Sequence, residues 1–347
     1  MKNSLTFLLI SIAFLGFNAA FAQQVVVVKK QYIFESAPFA ACHASTIVKL
    51  EDSKLLAAWF GGTQEGHNDV CIWIAANDGK SWSAPRKVVD GMQPDGKQLP
   101  CWNPVLFKAA NGMLYLHYKM GPNPREWWAV YKTSKDNGRT WSAAKMLPKG
   151  FLGPIKNKPL QLKNGNILYP SSTESLDEKT WKIHLERSDA GLNKWEHIAI
   201  DCDTFQVIQP SILRYSANKL QLLSRSKENV IVQNWSGDDG NTWDKATATE
   251  LPNPNSGSDA VSVGAVQLLI YNPLNAGKNW WDGRSVLKLA ASTDGEHWKD
   301  VFTFENEQKG EFSYPAIIAD KKGNIYITYT YNRVKIKFWQ LRLKKID

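Results

Sequence analysis

The chain has 347 residues, of which 43% are hydrophobic and 22% charged, and its formal net charge is +9. This balance is typical of a globular protein and excludes a largely disordered chain. Lys and Arg are spread along the sequence without a basic block or a nucleic-acid-binding motif, so we expect no nucleic-acid partner.

The first element in chain order is an apolar N-terminal segment. Its apolar run, residues 5–17, is followed by Ala20-Phe21-Ala22. A short charged start, an apolar core and a small-x-small site predict a secretory signal peptide over residues 1–22, cleaved near Ala22. The alternative is an uncleaved anchor, but the run is short for a membrane span. We therefore expect a secreted or periplasmic protein without a membrane span, whose mature domain covers residues 23–347.

A turn motif with the pattern Ser-x-Asp-x-Gly-x-Thr-Trp recurs in the mature chain. It occurs in full as Ser134-Lys-Asp136-Asn-Gly138-Arg-Thr140-Trp141 and as Ser236-Gly-Asp238-Asp-Gly240-Asn-Thr242-Trp243. Looser copies end at Trp82, Trp195 and Trp298, so the five Trp residues are separated by 59, 54, 48 and 55 residues. Asp and Gly predict a tight hairpin turn under which the Trp packs. We interpret the motif as structural, with calcium or ligand binding as the alternative.

Apolar strands recur out of phase with these turns. They begin at Ser45, Pro104, Pro159, Pro210, Ala260 and Pro315, at separations of 59, 55, 51, 50 and 55 residues. Most are followed by a hairpin signal such as Asn111-Gly112 and a second apolar run. Each repeat thus contains four predicted strands, and six such repeats predict an all-β, six-bladed β-propeller. The last repeat lacks the turn motif, and we expect a strand near residues 25–28 to complete its blade.

The innermost strands of a propeller surround its axis, so the residues just before the six repeat starts should converge. They are His43, Trp102-Asn103, Asn157-Lys158, Gln209, Ser258-Asp259 and Tyr314. Most are polar or ionisable, which predicts a site rather than a plugged core. Second strands end near the same face, where they carry Glu65, His67, Asp69, Lys119, Glu174 and Arg225, and a third strand begins there at Arg284. The turn motifs should lie at the opposite face.

With these repeats and this polar axis, the chain resembles the sialidase (neuraminidase) superfamily, known by its Asp boxes on a six-bladed propeller. It is most similar to the bacterial predicted-neuraminidase branch with BNR-type repeats. The resemblance covers nearly the whole mature chain. It is specific for the architecture and less so for the activity, because such boxes also occur on unrelated propellers.

The resemblance implies roles for three residues by their repeat positions. Sialidases hold the substrate carboxylate with three Arg residues, and Arg225 and Arg284 match the second and third of these. Tyr314, in Phe312-Ser-Tyr-Pro, matches the nucleophilic Tyr that opens the sixth repeat. A planar guanidinium suits this role because it meets a carboxylate with two parallel hydrogen bonds.

The acid/base Asp of the family lies on the loop after the second strand of the first repeat. In this chain that loop offers Glu65, His67 and Asp69. The sequence leaves the choice open, and Asp69 is the first assignment.

Two family positions are not matched. His43 stands where the first Arg of the family would be, and Gln209 stands where a Glu would draw the proton from the Tyr. A phenol titrates near pH 10 in the absence of perturbation, so Tyr314 lacks its usual base. Glu174 and Asp259 are the carboxylates that could substitute. Asn103 and Lys158 complete the predicted substrate-binding set.

The leading expectation is therefore a sialidase-like glycoside hydrolase acting on a glycan with a carboxylate-bearing terminal sugar. One alternative is a lyase or unusual glycosidase directed at a uronic acid, with His43 and Tyr314 as base and acid. The other is a non-catalytic carbohydrate-binding propeller.

We expect neither a cofactor nor a metal. Neither Cys-x-x-Cys nor His-x-x-x-His spacing occurs in the chain. Of the four Cys residues, Cys42 and Cys101 hold equivalent repeat positions, and their pairing is left open.

Overall fold

The computed structural model describes residues 23–51, 54–279 and 281–345, so the predicted signal peptide lies outside the described residues. These residues form 24 strands in six four-stranded antiparallel sheets. The part of the chain so described contains no helix long and apolar enough to cross a membrane. The prediction of an all-β, six-bladed propeller is confirmed.

The strands follow one another in chain order, and all blades but the sixth run from the innermost strand outwards. The N-terminal strand is β1 (Gln23–Tyr32). Blade one consists of β2 (Ala41–Lys49), β3 (Leu55–Gly62), β4 (Cys71–Asn77) and β5 (Arg86–Val89). Blade two consists of β6 (Cys101–Lys108), β7 (Leu114–Met120), β8 (Trp128–Ser134) and β9 (Lys145–Met146). Blade three consists of β10 (Leu160–Gln161), β11 (Ile167–Glu174), β12 (Trp181–Ser188) and β13 (Trp195–Ala199).

The second half of the ring repeats this order. Blade four consists of β14 (Val207–Arg214), β15 (Leu220–Ser226), β16 (Val230–Ser236) and β17 (Thr247–Pro252). Blade five consists of β18 (Asp259–Val263), β19 (Val266–Tyr271), β20 (Val286–Ser292) and β21 (Lys299–Asn306). Blade six contains β22 (Phe312–Ala319), β23 (Asn324–Tyr331) and β24 (Lys335–Lys345).

The N-terminal strand closes the ring. Blade six has the order β1-β24-β23-β22, and β1 pairs with β24 in an antiparallel register that places Val25 opposite Leu343. The expectation that a strand near residues 25–28 completes this blade is confirmed. Both ends of the described chain are therefore held in one sheet.

The apolar core lies between neighbouring blades. Blades one and two, for example, share a cluster that includes Phe60, Ile72, Leu116 and Tyr118. This arrangement follows from strand geometry, because successive side chains point to opposite faces of a blade and each face meets another blade. The four cysteines are buried, all are described, and none of them forms a disulfide bond.

The turns between third and fourth strands are held by the side chains of the Ser-x-Asp motif. Ser134 Oγ contacts Asp136 Oδ1 at 2.7 Å and accepts a hydrogen bond from Gly138 N at 2.9 Å. The Thr140 backbone N–H donates to Asp136 Oδ1 at 2.9 Å. Ser236 and Asp238 form the same bonds in blade four. These contacts satisfy the turn backbone locally.

The five motif Trp residues occupy equivalent places in five blades, just before or at the start of the outer strand. Only Trp195 lies within its outer strand, β13, and Trp82, Trp141, Trp243 and Trp298 precede theirs. In four of these five blades the Trp therefore lies in the turn before the outer strand rather than in the strand itself. The Trp belongs to the turn, as the hydrogen bond from Trp298 Nε1 to Gly295 O at 2.9 Å illustrates.

Four inner strands carry a β-bulge at the end that faces the site. The bulged residues have positive φ: Ala44 (54°), Asn103 (35°), Gln209 (58°) and Tyr314 (51°). A non-glycine residue in this region is strained, and such strain concentrates at functional sites. His43 lies one residue before this bulge position, because Ala44 occupies it in blade one.

Candidate functional site

Tyr314 is the residue around which the blades converge. Arg225 Nη1, from blade four, donates a hydrogen bond to Tyr314 Oη at 2.7 Å, and Gln209 Nε2 donates to the same oxygen at 3.4 Å. The His43 ring, from blade one, packs against the Tyr314 ring with 4.2 Å between centroids. Lys156 Nζ lies 5.7 Å from the Tyr314 ring centroid. The fold thus brings residues of blades one, four and six, and Lys156 of the segment before blade three, around one phenol.

Arg225 is a buried cation whose hydrogen-bond partners are all neutral. Besides Tyr314 Oη, it donates to Asn255 Oδ1 at 2.9 Å and to Gln209 Oε1 at 3.3 Å. No carboxylate among the described residues lies within salt-bridge distance of Arg225, which is 6% exposed. A buried guanidinium without a carboxylate in direct contact is costly, so Arg225 is prepared to receive an anionic group.

Arg284 and Arg333 share one carboxylate. Arg284 Nη1 lies 3.1 Å from Glu311 Oε1, and Arg333 Nε lies 2.7 Å from Glu311 Oε2. Arg333 also forms an ion pair with Glu65. These two arginines hold the pKa of Glu311 below its usual range, although burial opposes the shift. Three arginines therefore surround the site, of which two are bridged by an acid.

Arg333 enters the site from the tip of the β23–β24 hairpin. Asn332 and Arg333 both have positive φ (50° and 57°), and Val334 N donates to Tyr331 O at 3.2 Å. Two such residues are typical of a two-residue hairpin loop whose twist matches the strands. Arg333 Nη2 lies 3.5 Å from His43 Nε2. A cation thus stands beside His43, the residue at the position of the unmatched first Arg.

His43 is buried and neutral. Burial, and then the nearby Arg333, Arg284, Lys156 and Arg225, lower the pKa of His43 well below 6.5. Because a guanidinium can only donate, the contact with Arg333 leaves the ring proton on Nδ1. Within the described residues, Nδ1 has no hydrogen-bond partner. Such an unsatisfied buried donor favours a role toward a ligand over a purely structural one.

A cavity of about 270 Å³ opens next to His43 and is also lined by Phe60, Glu65 and Arg333. Of the two acids predicted on this loop, Glu65 lies in the lining, where Arg333 neutralises it. Asp69 instead accepts hydrogen bonds from Thr63 N at 2.9 Å and Thr63 Oγ1 at 2.7 Å, which shape the loop. The assignment of the acid remains a prediction.

Glu174 is a half-buried acid at the end of β11. Burial raises the pKa of Glu174, and this effect is partly offset by Arg225 and Arg125. No hydrogen-bond partner of its carboxyl group is found among the described residues. A carboxyl group that keeps its proton at higher pH is suited to act as a general acid.

Two of the other predicted site residues, Lys158 and Asp259, form an ion pair with each other. Lys158 Nζ contacts both oxygens of Asp259 at 2.9 and 3.0 Å, and Asp259 also accepts hydrogen bonds from Ser211 Oγ and Ile317 N. Asp259 therefore has little capacity left for a substrate. Asn103 is buried at its bulge, 6% exposed.

Sequence reasoning did not single out Lys156, Glu311 or Arg333. Lys156 Nζ donates to Asn157 Oδ1, Ser258 O and Pro315 O at 2.7–3.0 Å and so ties three blades together. Burial lowers the pKa of Lys156 to about 7, a shift that Asp259 opposes. Lys156 adjoins the predicted pair Asn157-Lys158, which was a usable signal. Arg333 follows an apolar segment whose pattern predicts a continuous strand, so no local sequence signal identified Arg333 as a site residue.

Comparisons with known proteins agree with this architecture. Residues 53–327 match the family model described as a BNR repeat-like domain. A protein of unknown function from Dyadobacter fermentans is 16% identical, with a TM-score of 0.73 over 92% of this chain and 99% of that one. The NanB sialidase of Streptococcus pneumoniae is 13% identical, with a TM-score of 0.69 over 91% of this chain and 70% of that one.

A third solved structure is the sialidase of Trypanosoma rangeli, which is 17% identical with a TM-score of 0.68. The alignment covers 92% of this chain, which spans 60% of that protein. A comparison with curated protein sequences finds no match. At these identities the solved structures show a shared fold.

Proposed function

The chain belongs to the BNR repeat-like domain family and has a sialidase-like propeller, and from these premises we propose that it is a secreted glycoside hydrolase of the sialidase type. Its substrate would be a glycan that ends in a carboxylate-bearing sugar. The observation that supports this most directly is Arg225, a buried guanidinium with neutral partners that donates to Tyr314 Oη at 2.7 Å. An anionic sugar would supply the missing countercharge.

In this proposal Arg225 and Arg284 bind the sugar carboxylate, and Arg333 adds a third cation beside His43. Arg284 Nη2 donates to Asn255 O at 3.3 Å while Arg225 Nε donates to Asn255 Oδ1, so one residue orients both guanidinium groups. Planar guanidinium groups fixed in this way lose little freedom on binding a carboxylate. His43, being neutral, would donate a single hydrogen bond rather than contribute a charge.

Tyr314 Oη would lose its proton to a solvent water molecule and attack the anomeric carbon, and the bond from that carbon to the leaving oxygen would break as an acid protonates that oxygen. Water would then cleave the bond between the sugar and Tyr314. Arg225 lies where negative charge develops on Oη, which is the geometry of electrostatic stabilisation. Gln209 cannot accept the phenol proton, unlike the Glu that the family resemblance implies. Glu174 and Asp69 are the candidate proton donors.

The test is a substrate screen on the purified mature chain. Sialosides and uronate-capped glycans are incubated with wild type and with Tyr314→Phe, and released sugar is quantified. The proposal expects release of an acidic monosaccharide by wild type, and a covalent adduct on Tyr314 in a mass spectrum after rapid quenching. Binding of acidic sugars without release would instead support the carbohydrate-binding alternative. Release that is undiminished in Tyr314→Phe would overturn the mechanism.

A second candidate is elimination from a uronic acid glycoside, and the neutral His43 ring against Tyr314 favours it. His43 Nε2 would have to turn from its 3.5 Å contact with Arg333 and remove the proton next to the carboxylate. The arginines would stabilise the resulting anion, and Tyr314 would protonate the leaving oxygen as a double bond forms in the sugar. Elimination yields an unsaturated uronate that absorbs ultraviolet light, and hydrolysis does not. Absorbance read beside released sugar therefore separates the two reactions.

A further inference from the structure

We propose that blade three holds a divalent transition-metal ion between His184, Glu186 and His197. One potential ligand atom from each residue lies within 4.8 Å of the others. The site is separate from the arginines around Tyr314, and the inference does not rest on the proposed function.

Strand geometry places the three side chains on one face of the blade. His184 and Glu186 are two residues apart on β12, and His197 of β13 is the direct antiparallel partner of Glu186. Alternate residues of a strand share a face, and direct cross-strand partners have Cβ atoms about 5 Å apart. The arrangement is therefore set by backbone register.

Glu186 is the anchor of this cluster. It is fully buried, and its carboxylate accepts hydrogen bonds from Leu152 N at 2.8 Å and Gly153 N at 2.6 Å. Oε1 also contacts Ser171 Oγ at 3.3 Å and His184 Nε2 at 3.1 Å, whereas Gly153 N is the only donor to Oε2 in the described part of the chain. Oε2 therefore keeps a lone pair for a metal ion.

The imidazole rings complete the donor set. The His197 ring stacks on Phe151 at 4.3 Å with an angle of 7° between the planes, and the two histidine rings lie 5.3 Å apart. Two imidazoles and one carboxylate suit Zn²⁺, which binds such a set with a fourth position left to water. Since a bond to zinc is about 2 Å long, a small rotation of the exposed His197 side chain would close the site.

The metal would act on the segment that leads to the candidate site. Glu186 holds Leu152 and Gly153, and three residues later Lys156 reaches the backbone of Pro315. Fixing Glu186 and the ring beside Phe151 would order this segment. We therefore expect the ion to stabilise the fold.

The experiment uses the tag-free mature chain after treatment with EDTA and dialysis. Zinc binding is measured by calorimetry, the cobalt complex by its visible absorption, and the midpoint of thermal unfolding with and without zinc. We expect one ion per chain and tetrahedral cobalt bands. At a hundredfold excess over Kd, zinc should raise Tm by a few degrees, about 3 °C or more.

His197→Ala is the main variant, because His197 is exposed and its loss should leave the fold intact. His297→Ala is the matched control: it removes another exposed histidine, one that contacts Asp294 in blade five at 2.8 Å. The proposal expects His197→Ala and His184→Ala to lose the cobalt bands and the zinc-dependent rise in Tm, while His297→Ala keeps both. Equal behaviour of His197→Ala and wild type, or no zinc binding by wild type, would overturn it.

Discussion

Replacing Arg225 by Met should reduce ligand affinity without destabilising the ligand-free protein. Met is apolar and unbranched, so it can fill much of the space of the arginine stem. The reasoning depends on the neutral partners of Arg225, which distinguish it from a structural arginine held by an ion pair.

Two opposing terms set the expected stability. The three hydrogen bonds of Arg225 contribute about 1.5–4.5 kcal/mol together, at about 0.5–1.5 kcal/mol each. Burial of a guanidinium without a countercharge costs several kcal/mol, which the substitution relieves. We therefore expect the unfolding free energy of Arg225→Met to stay within about 1 kcal/mol of wild type or to exceed it. Loss of a charged hydrogen bond to the ligand should weaken binding about ten- to a hundredfold.

Urea denaturation measures the unfolding free energy, and calorimetric titration with N-acetylneuraminate and with glucuronate measures the ligand affinity. Asp259→Asn is the contrasting variant, because it breaks the buried pair with Lys158 and should lower the unfolding free energy by about 2 kcal/mol or more. The reasoning is refuted if Arg225→Met loses about as much stability as Asp259→Asn while the affinity for an acidic sugar is unchanged.

Three further predictions concern acids and histidines. Glu174→Gln should lower turnover by about 10²–10⁴-fold on substrates with poor leaving groups and much less on activated aryl glycosides. If Asp69→Asn shows this dependence on the leaving group and Glu174→Gln does not, the acid is Asp69. Because the pKa of His43 lies well below 6.5, the pH profile of the activity should show no limb near pH 6.5. If the reaction is hydrolysis, His43→Ala should raise KM more than it lowers kcat. A loss of kcat at unchanged KM would instead favour elimination. Burial lowers the pKa of His117 to about 3, so the unfolded chain binds a proton below pH 6.5 that the folded chain does not, and stability should fall as pH drops from about 6.5 toward 3. At pH 5 this histidine should lower the free energy of unfolding by about 2 kcal/mol relative to neutral pH. Thermal scans of His117→Phe should therefore show a weaker dependence of Tm on acid pH than wild type. An equal dependence in both proteins would contradict the prediction.

The blade architecture could be predicted from the sequence because it depends on local sequence signals that repeat in each blade. Turn motifs such as Ser236–Trp243 and hairpin signals such as Asn111-Gly112 determine the backbone conformation of a few residues each, and their spacing along the chain gives the number of blades. The convergence of His43, Gln209 and Tyr314 followed from the same period, since equivalent positions of a closed ring face one axis.

Interactions between blades were decided only by the tertiary structure. Arg333 lies beside His43 because closure of the ring brings the last hairpin against the first blade, 290 residues away in sequence. Whether Asp259 is free or paired depends on a contact with Lys158 across 101 residues, and the sequence contains no sign of it. Local chemistry determines which turns and strands form, whereas the pairing of charges at the axis depends on side chains that meet only when the ring has closed.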